Sequence, residues 1–325
     1  MKTEIKWGIL GTGFIARKMA EALAFVPNAK LYAIASRNLD TAQKFADEFA
    51  VVKAYGSYEE LAADPEIDLV YIGTPHPFHF PNTMMCLEQG KGVLCEKPFA
   101  MNRMEVDLMV ESARSKNLFL MEAFWTRFLP HFRFLETSLD SGKIGTITKI
   151  EADFGVKSTF DPDGRFFNKD LGGGALLDIG IYPCFLPYFI LGQPDGIEAT
   201  ATIGETDVDI SDDIIFHYPD GQVANLQCTF LEETPTEATI LGSDGSFRLH
   251  HKWFLPTTIT HTDCFGNEEH LSFPHLCNGY EYEAIEATEC MLSGITESEL
   301  MPHEFSQGLI SLLDSIREIQ GVNIN

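Results

Sequence analysis

Short apolar runs alternate with helical stretches over roughly the first 120 residues of the chain. These runs cover 5–10, 31–35, 68–72, 92–95 and 118–121. The segments between them, such as 40–49 and 102–116, have the composition of amphipathic helices. Alternation of strands with crossover helices is typical of a parallel sheet covered by helices. The first part of the chain is therefore predicted to be a doubly wound α/β domain.

The pattern changes after about residue 145, where longer strand-like runs follow one another. These runs cover 146–156, 197–203, 214–218, 223–230 and 237–241. Pro219-Asp220-Gly221, Ser243-Asp244-Gly245 and Gly266-Asn267 supply residue types that hairpin turns require. The sequence thus predicts a C-terminal α/β domain with a large, mainly antiparallel open sheet. The change of pattern places the domains at 1–122 and 123–325.

Two further helices are predicted near the end of the chain, at 284–292 and 304–319. Their apolar residues fall on one helical face, which indicates packing against a core. The acidic residues between 281 and 299 are predicted to form a solvated helix face.

Composition and charge narrow the classes of partner. The 325 residues are 45% hydrophobic and 22% charged, as expected for two globular domains. The formal net charge of -25 repels nucleic acid and anionic membranes, so we expect a small-molecule partner. Seven scattered cysteines indicate reduced thiols, and no uninterrupted run of about eighteen apolar residues is present. We expect a cytoplasmic protein.

The first strand runs directly into Gly11-Thr12-Gly13-Phe14-Ile15-Ala16. Gly11 and Gly13 permit a tight turn and close approach of a ligand, and the N-terminus of the following helix attracts phosphate. This G-x-G-x-x-A spacing predicts a Rossmann dinucleotide site at Gly11, Gly13, Phe14 and Ile15. Methyltransferases and other nucleotide-binding proteins use similar turns, so the motif alone does not choose between them.

The second strand ends in Ser36 and Arg37, where NAD-binding sites usually present an acid to the ribose. A hydroxyl and a guanidinium can hydrogen-bond a 2′-phosphate, which a carboxylate would repel. The sequence therefore favours NADP(H), with NAD(H) as the second choice. In the alternative interpretation, Arg37 is a solvated surface residue and Asp40 binds the ribose.

Two further loops follow strands of the predicted parallel sheet. Thr74, Pro75, His76 and His79 follow the third apolar run, where they could flank a nicotinamide. The alternatives are a pair of histidines bonded to backbone, or a metal site, which the lack of a local third ligand disfavours. We predict no metal.

The fourth apolar run ends in Glu96-Lys97-Pro98, which makes Lys97 a candidate catalytic residue and Glu96 a neighbour of the cofactor. A partly buried ammonium can hydrogen-bond a substrate hydroxyl and lower the pKa of an adjacent acid. The alternative is an exposed Glu-Lys ion pair.

Three strings resemble the glucose-fructose oxidoreductase / inositol dehydrogenase (Gfo/Idh/MocA) family in order and spacing. They are Gly11-x-Gly13-x-x-Ala16, Glu96-Lys97-Pro98 and the Gly-Gly-Gly-Ala-Leu-Leu-Asp-Ile-Gly run at 172–180. The Glu-Ala-Phe-Trp-Thr-Arg-Phe string at 122–128, with the Asp-Ile-Gly-Ile-Tyr-Pro run at 178–183, is similar to one branch. That branch holds dimeric trans-1,2-dihydrodiol dehydrogenases and NADP-dependent D-xylose 1-dehydrogenases. The likeness covers essentially the whole chain.

The resemblance implies that Lys97 is the family's catalytic lysine and that substrate binds between the domains. Many members have a histidine four residues after the motif Asp178, where this chain has Tyr182. Tyr182 would then carry the proton and Asp178 would orient the substrate or the lysine. Because a free tyrosine has a pKa near 10, its phenolate needs a nearby cation. Tyr182 as core filler is the alternative, and Pro183 should bend the helix unless it lies in the first turn.

Trp125, Arg127, Phe154 and Arg165 are predicted substrate contacts, because aromatic faces stack on sugars or arenes and Arg donates to hydroxyls. Phe154 could equally pack in a strand. Gly172–Gly174 is expected to allow close packing. The sequence thus predicts an NADP(H)-dependent oxidoreductase acting on a CH–OH group of a sugar, polyol or dihydrodiol. The family's open sheet implies a homodimer or homotetramer. The alternative function is a non-catalytic NADP(H)-sensing regulator.

Overall fold

The computed structural model describes residues 2–322, which form two compact units. The first unit contains residues 2–128 and 276–307, and the second contains residues 129–275 and 308–322. This division differs from the expected boundary at 122/123 because the chain returns to the first unit near its end. The composition around 276–307 carries no signal for such a return, which depends on contacts far apart in sequence.

Within the described residues, strands and helices follow the two predicted patterns. The strands are β1 (Ile5–Leu10), β2 (Ala29–Ala35), β3 (Lys53–Tyr55), β4 (Leu69–Ile72), β5 (Gly92–Glu96), β6 (Leu120–Ala123), β7 (Ile147–Gly155), β8 (Gly196–Ile203), β9 (Asp209–His217), β10 (Val223–Thr229), β11 (Ala238–Gly242), β12 (Gly245–Leu249), β13 (Thr258–Asp263) and β14 (Glu268–Ser272). The α-helices are α1 (Phe14–Leu23), α2 (Leu39–Phe49), α3 (Tyr58–Ala62), α4 (His79–Glu88), α5 (Arg103–Lys116), α6 (Pro130–Asp140), α7 (Ile181–Leu191), α8 (Glu281–Ser293) and α9 (His303–Gln320).

The first unit contains a parallel sheet with the strand order β3-β2-β1-β4-β5-β6. The order reverses between β1 and β4, and ligands of doubly wound sheets bind at the carboxyl ends of strands beside such a reversal. All four residues of β4 and all five of β5 are buried, which explains why these strands are apolar apart from the terminal Glu96. Strand β3 was not predicted, because its three residues are partly exposed and form no apolar run.

The 276–307 segment is joined to the first unit by backbone and side-chain hydrogen bonds. The Asn278 Nδ2 donates to the Lys18 carbonyl at 2.9 Å, and the Leu120 N–H donates to the Thr296 carbonyl at 3.2 Å. The His303 Nε2 lies 2.8 Å from the Leu120 carbonyl. Helix α8 also packs against α1.

The prediction of a solvated acidic face on α8 is wrong for its first turn. Glu281 is fully buried and accepts backbone N–H bonds from residues 276–279, the shortest at 2.6 Å from Gly279. Glu283 is also fully buried, and burial raises the pKa of its carboxyl well above the usual range. The helical pattern alone does not distinguish a carboxylate that caps a buried loop from a solvated one.

The second unit is built on a sheet with the order β14-β13-β12-β11-β7-β10-β9-β8. Strands β7 and β10 pair in parallel, and the other described neighbours pair antiparallel, so the predicted mainly antiparallel sheet is confirmed. The predicted turns are also present, with Gly221 at φ 87° and Gly266 at φ 83°. Strands β12, β13 and β14 were not predicted, although two of the turns that bound them were.

One segment of the second unit, Lys169–Leu191, is long and apolar enough to cross a membrane by length and composition. Its most apolar window is 78% buried inside the protein. This degree of burial is the pattern of a helix in a protein core. The segment contains the glycine-rich string and Tyr182.

Candidate active site

The loop after β1 has the two properties that the glycine motif predicts. Gly11 has φ +102°, and a Cβ there would lie 2.9 Å from the Gly73 carbonyl oxygen. Gly13 is the N-cap of α1, with no side-chain cap and no described atom within 4 Å of an added Cβ. The start of α1 therefore has open space beside Gly13, and free N–H groups at a helix start fit a pyrophosphate. Ile15 packs on Gly73 and Phe14 is 74% exposed.

The end of β2 presents a cation without a nearby carboxylate partner. Arg37 is exposed, and the structure shows no ion pair for it within residues 2–322. Asn38 caps α2 by accepting the Thr41 N–H at 3.0 Å, and Asp40 lies exposed in the first turn of that helix. The guanidinium and the partly exposed Ser36 hydroxyl are thus available to a 2′-phosphate.

The loop after β4 is held together by His79. This imidazole is fully buried, with its Nδ1 2.8 Å from the Pro98 carbonyl and its Nε2 2.8 Å from the Thr74 carbonyl. His79 is thus bonded to backbone, as in the alternative interpretation, and its predicted cofactor contact stays a prediction. It joins the loop after β4 to the loop after β5. Burial lowers the pKa of His79, and the nearby Lys97 charge acts in the same direction.

The other predicted residues of this loop surround His79. Thr74 is buried and its Oγ1 accepts the Asn82 amide at 3.1 Å, whereas Pro75 is exposed. The buried ring of His76 meets the ring of His79 edge to face, with centroids 5.7 Å apart. Among residues 2–322 no group of three His, Cys, Asp or Glu side chains could hold a metal ion.

Glu96 and Lys97 stand at the carboxyl end of β5, in the position expected for a catalytic lysine. Glu96 is buried and accepts hydrogen bonds from the Tyr71 hydroxyl and, at 3.2 Å, from the Lys97 N–H. Lys97 is partly buried, and its charge lowers the pKa of both His79 and Glu122. An exposed Glu-Lys surface pair is therefore excluded.

Glu122, at the carboxyl end of β6, is a residue that the sequence interpretation assigned no role. Its Oε1 accepts the Phe99 N–H at 3.0 Å, and burial raises the pKa of its carboxyl to about 7. The Ser306 side chain and the Lys97 charge lower this pKa in part. In the sequence, a role for Glu122 was indicated by its position as the first residue of the 122–128 string, which is similar to one branch of the family.

Trp125 and Arg127 are both buried within the first unit. Trp125 stacks on Tyr280, with ring centroids 4.2 Å apart and an interplanar angle of 12°. The Arg127 Nε donates to the Leu300 carbonyl at 3.1 Å. These contacts hold the returning 276–307 segment and give both residues a structural role, while their predicted substrate contacts stay predictions.

The glycine-rich string of the second unit leads into the segment that carries Asp178 and Tyr182. A Cβ at Gly173 would lie 2.8 Å from the Phe166 carbonyl oxygen, so the predicted close packing is confirmed. Residues Leu176–Gly180 form a π-helical turn that continues into α7. Pro183 lies in the first turn of α7. Proline is tolerated in the first turn of a helix, so Pro183 does not interrupt α7.

Asp178 and Arg165 form a two-pronged ion pair. The guanidinium Nη1 and Nη2 donate to the two carboxylate oxygens at 3.0 and 3.3 Å. The Asp178 side chain is 6% exposed, whereas that of Arg165 is 57% exposed and also lies over the Phe166 ring. Arg165 therefore orients the motif aspartate, a contact that the sequence did not predict.

Tyr182 lies in an aromatic cluster with Phe154 and Phe254. Its ring centroid is 5.8 Å from that of Phe154 and 4.8 Å from that of Phe254, and these two phenylalanines stack at 4.2 Å. The cluster fixes the orientation of the phenol ring. Phe154 thus packs beside the tyrosine, and Phe254 was missed because it follows the predicted strands without a motif.

The sequence profile of the oxidoreductase family with an NAD-binding Rossmann fold matches residues 5–124, and the profile of the GFO/IDH/MocA C-terminal domain matches residues 132–248. The chain belongs to the GFO/IDH/MocA oxidoreductase family. Trans-1,2-dihydrobenzene-1,2-diol dehydrogenase of Xenopus tropicalis is 38% identical and that of Homo sapiens 36% identical. Each alignment covers 98% of this chain, and 98% and 97% of the respective relative.

Solved structures of the GFO/IDH/MocA fold superpose on nearly the whole chain. A 3-ketoreductase from Actinomadura kijaniata, in complex with NADP and TDP-benzene, has a TM-score of 0.87 at 28% identity, covering 98% of both chains. Levoglucosan dehydrogenase in complex with NADH and levoglucosan has a TM-score of 0.88 at 20% identity, covering 98% of this chain and 97% of that one. The predicted family and two-sheet fold are confirmed.

Proposed function

We propose that this protein is an NADP(H)-dependent oxidoreductase that interconverts a CH–OH group of a sugar, polyol or trans-dihydrodiol with the corresponding carbonyl. The full-length relatives named above are dihydrodiol dehydrogenases, and the ketoreductase was solved with NADP. Variants of that ketoreductase with a lysine replaced by alanine and a tyrosine replaced by phenylalanine have also been solved. Lysine and tyrosine are the two residue types assigned here to the proton chemistry.

The first unit would bind the dinucleotide. The N–H groups at the start of α1, beside Gly13, bind the pyrophosphate, and Ser36 and Arg37 bind the 2′-phosphate. The loop at 74–76 is assigned to the nicotinamide end, with His79 as the residue that fixes this loop. When bound, the nicotinamide supplies the hydride acceptor in one direction and the hydride donor in the other.

The proton chemistry is assigned to Tyr182 and Lys97. In oxidation the Tyr182 phenolate accepts the hydroxyl proton of the substrate, and in reduction the phenol returns a proton to the carbonyl oxygen. Lys97 supplies the positive charge that favours the phenolate. Asp178, held by Arg165, is assigned to orient the substrate.

The observation that carries this proposal is the position of Tyr182. It is a buried phenol in the first turn of α7, four residues after the ion-paired Asp178, and its ring is held by two phenylalanines. Tyr182 and the ion-paired Asp178 are thus each held in a fixed orientation on the same helical segment, which supports a role in the site for both.

The test is Tyr182→Phe with Tyr218→Phe as the matched control. Tyr218 is also buried in the second unit, and its hydroxyl has no hydrogen-bond partner among the described residues. We expect Tyr182→Phe to lower kcat by at least ~100-fold with unchanged NADPH affinity, and Tyr218→Phe to leave kcat unchanged. Equal kcat values for both variants would exclude Tyr182 as the proton carrier.

We also propose that the protein is a cytoplasmic homodimer or homotetramer assembled through the second sheet. Support comes from the face of β7, β9 and β10 that carries Glu151, Asp213, Asn225 and Gln227, which lies opposite the buried face of the same strands. Sedimentation velocity of the full chain would test the assembly, and a monomer at micromolar concentration would contradict it.

A further inference from the structure

Two carboxyl side chains are buried beneath the segment that carries Asp178 and Tyr182. Asp209 begins β9 and is 5% exposed, and Asp212, on the same strand, is fully buried. The chemistry proposed above gives neither residue a role. Buried carboxyl groups are costly unless they have partners, so their contacts show what they do.

Asp209 contacts the start of the helical segment directly. Its Oδ2 accepts the Leu176 N–H at 2.6 Å, two residues before Asp178. Gly174 has φ +133°, and a Cβ at this position would collide with the Asp209 Oδ1. Gly174, the third of the three consecutive glycines, therefore makes room for the carboxylate. A carboxylate at this end of a helical segment is stabilised by the free N–H groups and by the helix dipole.

Asp212 reaches the same segment through a thiol. Its Oδ2 accepts the Cys228 Sγ–H at 3.2 Å, and a Cβ on Gly180 would lie only 2.6 Å from that sulfur. Cys228 therefore packs against the segment two residues before Tyr182. From α9, the Gln320 Nε2 donates to the Asp212 Oδ1 at 2.8 Å. The carboxyl pair thus supports the segment at two places.

The charged and titratable groups around the pair come from three elements. Arg317 lies on α9 with its ion-pair partner Asp314, Cys228 lies on β10, and Cys184 lies on α7. Burial raises the pKa of both carboxyls, that of Asp212 to about 8, and the Arg317 charge opposes this on Asp209. Two buried carboxyls in contact do not both ionise near neutrality, so they share one proton, with Asp209 the more ionised.

We infer that Asp209 and Asp212 form a proton-sharing carboxyl pair that positions the helical segment carrying Asp178 and Tyr182. They are positioning residues, and the kinetic part of this inference rests on the proposed function. Loss of the shared proton places two negative charges beneath the segment. Their repulsion displaces Asp209 from the Leu176 N–H, so turnover should fall at alkaline pH while cofactor binding in the first unit is unchanged.

The kinetic test compares Asp209→Asn and Asp212→Asn with Asp220→Asn. Asp220 is exposed in the turn between β9 and β10, so its variant controls for the change of charge. Asp209→Asn should lower kcat by about tenfold or more at unchanged NADPH affinity, because it removes a charge-assisted hydrogen bond at the helix start. Asp220→Asn should match the wild type. Equal kcat values for Asp209→Asn and Asp220→Asn would overturn the inference.

Asp212→Asn should remain folded, because its amide resembles the protonated carboxyl in shape and in its ability to donate a hydrogen bond. Its oxygen can still accept from Gln320, and its NH2 group can donate to Asp209 and to the Cys228 sulfur, which then acts as the acceptor. We expect the wild-type kcat to fall above about pH 8, and this variant should keep kcat near the wild-type value at pH 7 without that alkaline fall. An alkaline fall identical to that of the wild type would overturn the inference.

Hydrogen exchange of residues 174–184 separates this inference from the proposed function. After correction for intrinsic rates, these amides in the wild type should lose protection between pH 7 and 9, whereas those of Asp212→Asn should not. If protection changes in this way but no substrate is turned over, the proposed function fails and the positioning role stands. If substrate is turned over and protection does not differ between the two proteins, the positioning role fails.

Discussion

Substitutions at the two glycines of the loop after β1 should affect the stability of the fold and the binding of the cofactor separately. The perturbation is one methyl group, added by Gly11→Ala or by Gly13→Ala. Gly11 has a positive φ and lies against the Gly73 carbonyl, whereas Gly13 has φ −75° and faces open space. The same chemical change should therefore have opposite consequences at two positions only two residues apart.

The structure sets the size of each effect. At Gly11 the backbone conformation costs a residue with a side chain ~1–3 kcal/mol, and a Cβ 2.9 Å from a backbone oxygen adds a forced shift. We expect the free energy of unfolding to fall by at least ~2 kcal/mol. At Gly13 the conformation is allowed for any residue, so the change should stay within ~0.5 kcal/mol.

For cofactor binding by the folded protein, we expect the larger effect from Gly13→Ala and the smaller one from Gly11→Ala. A methyl group at Gly13 projects into the open space at the start of α1 where we propose that the pyrophosphate binds, so we expect NADPH affinity to fall at least ~tenfold, or 1.4 kcal/mol. Urea unfolding of the ligand-free protein and fluorescence titration with NADPH measure the two quantities. Wild-type NADPH affinity in Gly13→Ala, or wild-type stability in Gly11→Ala, would refute this reasoning.

Three other residues give separate predictions. The free energy of unfolding of Glu122→Gln should rise relative to that of the wild type by up to ~3 kcal/mol between about pH 4.5 and 7. The reason is that only the wild type must keep a proton on a buried carboxyl with a pKa of about 7. Urea unfolding at a series of pH values measures this difference, and a difference that does not change with pH would contradict it. Arg37→Ser should weaken NADPH binding at least ~tenfold and leave NADH binding unchanged, and equal losses for both cofactors would contradict the 2′-phosphate contact. Arg127→Lys should lower the free energy of unfolding by ~1–3 kcal/mol without changing the substrate KM, through loss of the Nε bond to Leu300; a raised KM at unchanged stability would restore Arg127 as a substrate contact.

The sequence predicted those features that local patterns determine. The uniformly buried strands β4 and β5 show as apolar runs, and Lys97 follows the second of them. Asn102 was placed at the start of its helix and caps α5 by accepting the Glu105 N–H at 3.0 Å. The positive φ of Gly221 and Gly266 explains why the predicted turns contain glycine at these positions.

Features that depend on long-range partners could not be read from local patterns. Glu281 has the helical spacing of a solvated acid, and its burial follows from the loop at 276–279 that it caps. His79 was identified as a polar loop residue, but only the fold places two carbonyls at its ring nitrogens. The pairing of Arg165 with Asp178 likewise requires the glycine-rich turn between them.

The central claim is tested most directly by hydride transfer from a labelled substrate. The wild-type protein would be incubated with NADP+ and a panel of aldoses, inositols and trans-dihydrodiols carrying deuterium on the CH–OH carbon, with NAD+ in parallel. We predict substrate-dependent formation of reduced NADP that contains the deuterium, in clear preference to NAD, with one class of substrate. Tight binding of NADPH without reduction of NADP+ by any member of the panel would contradict an oxidoreductase of these substrates and favour an NADP(H)-sensing protein.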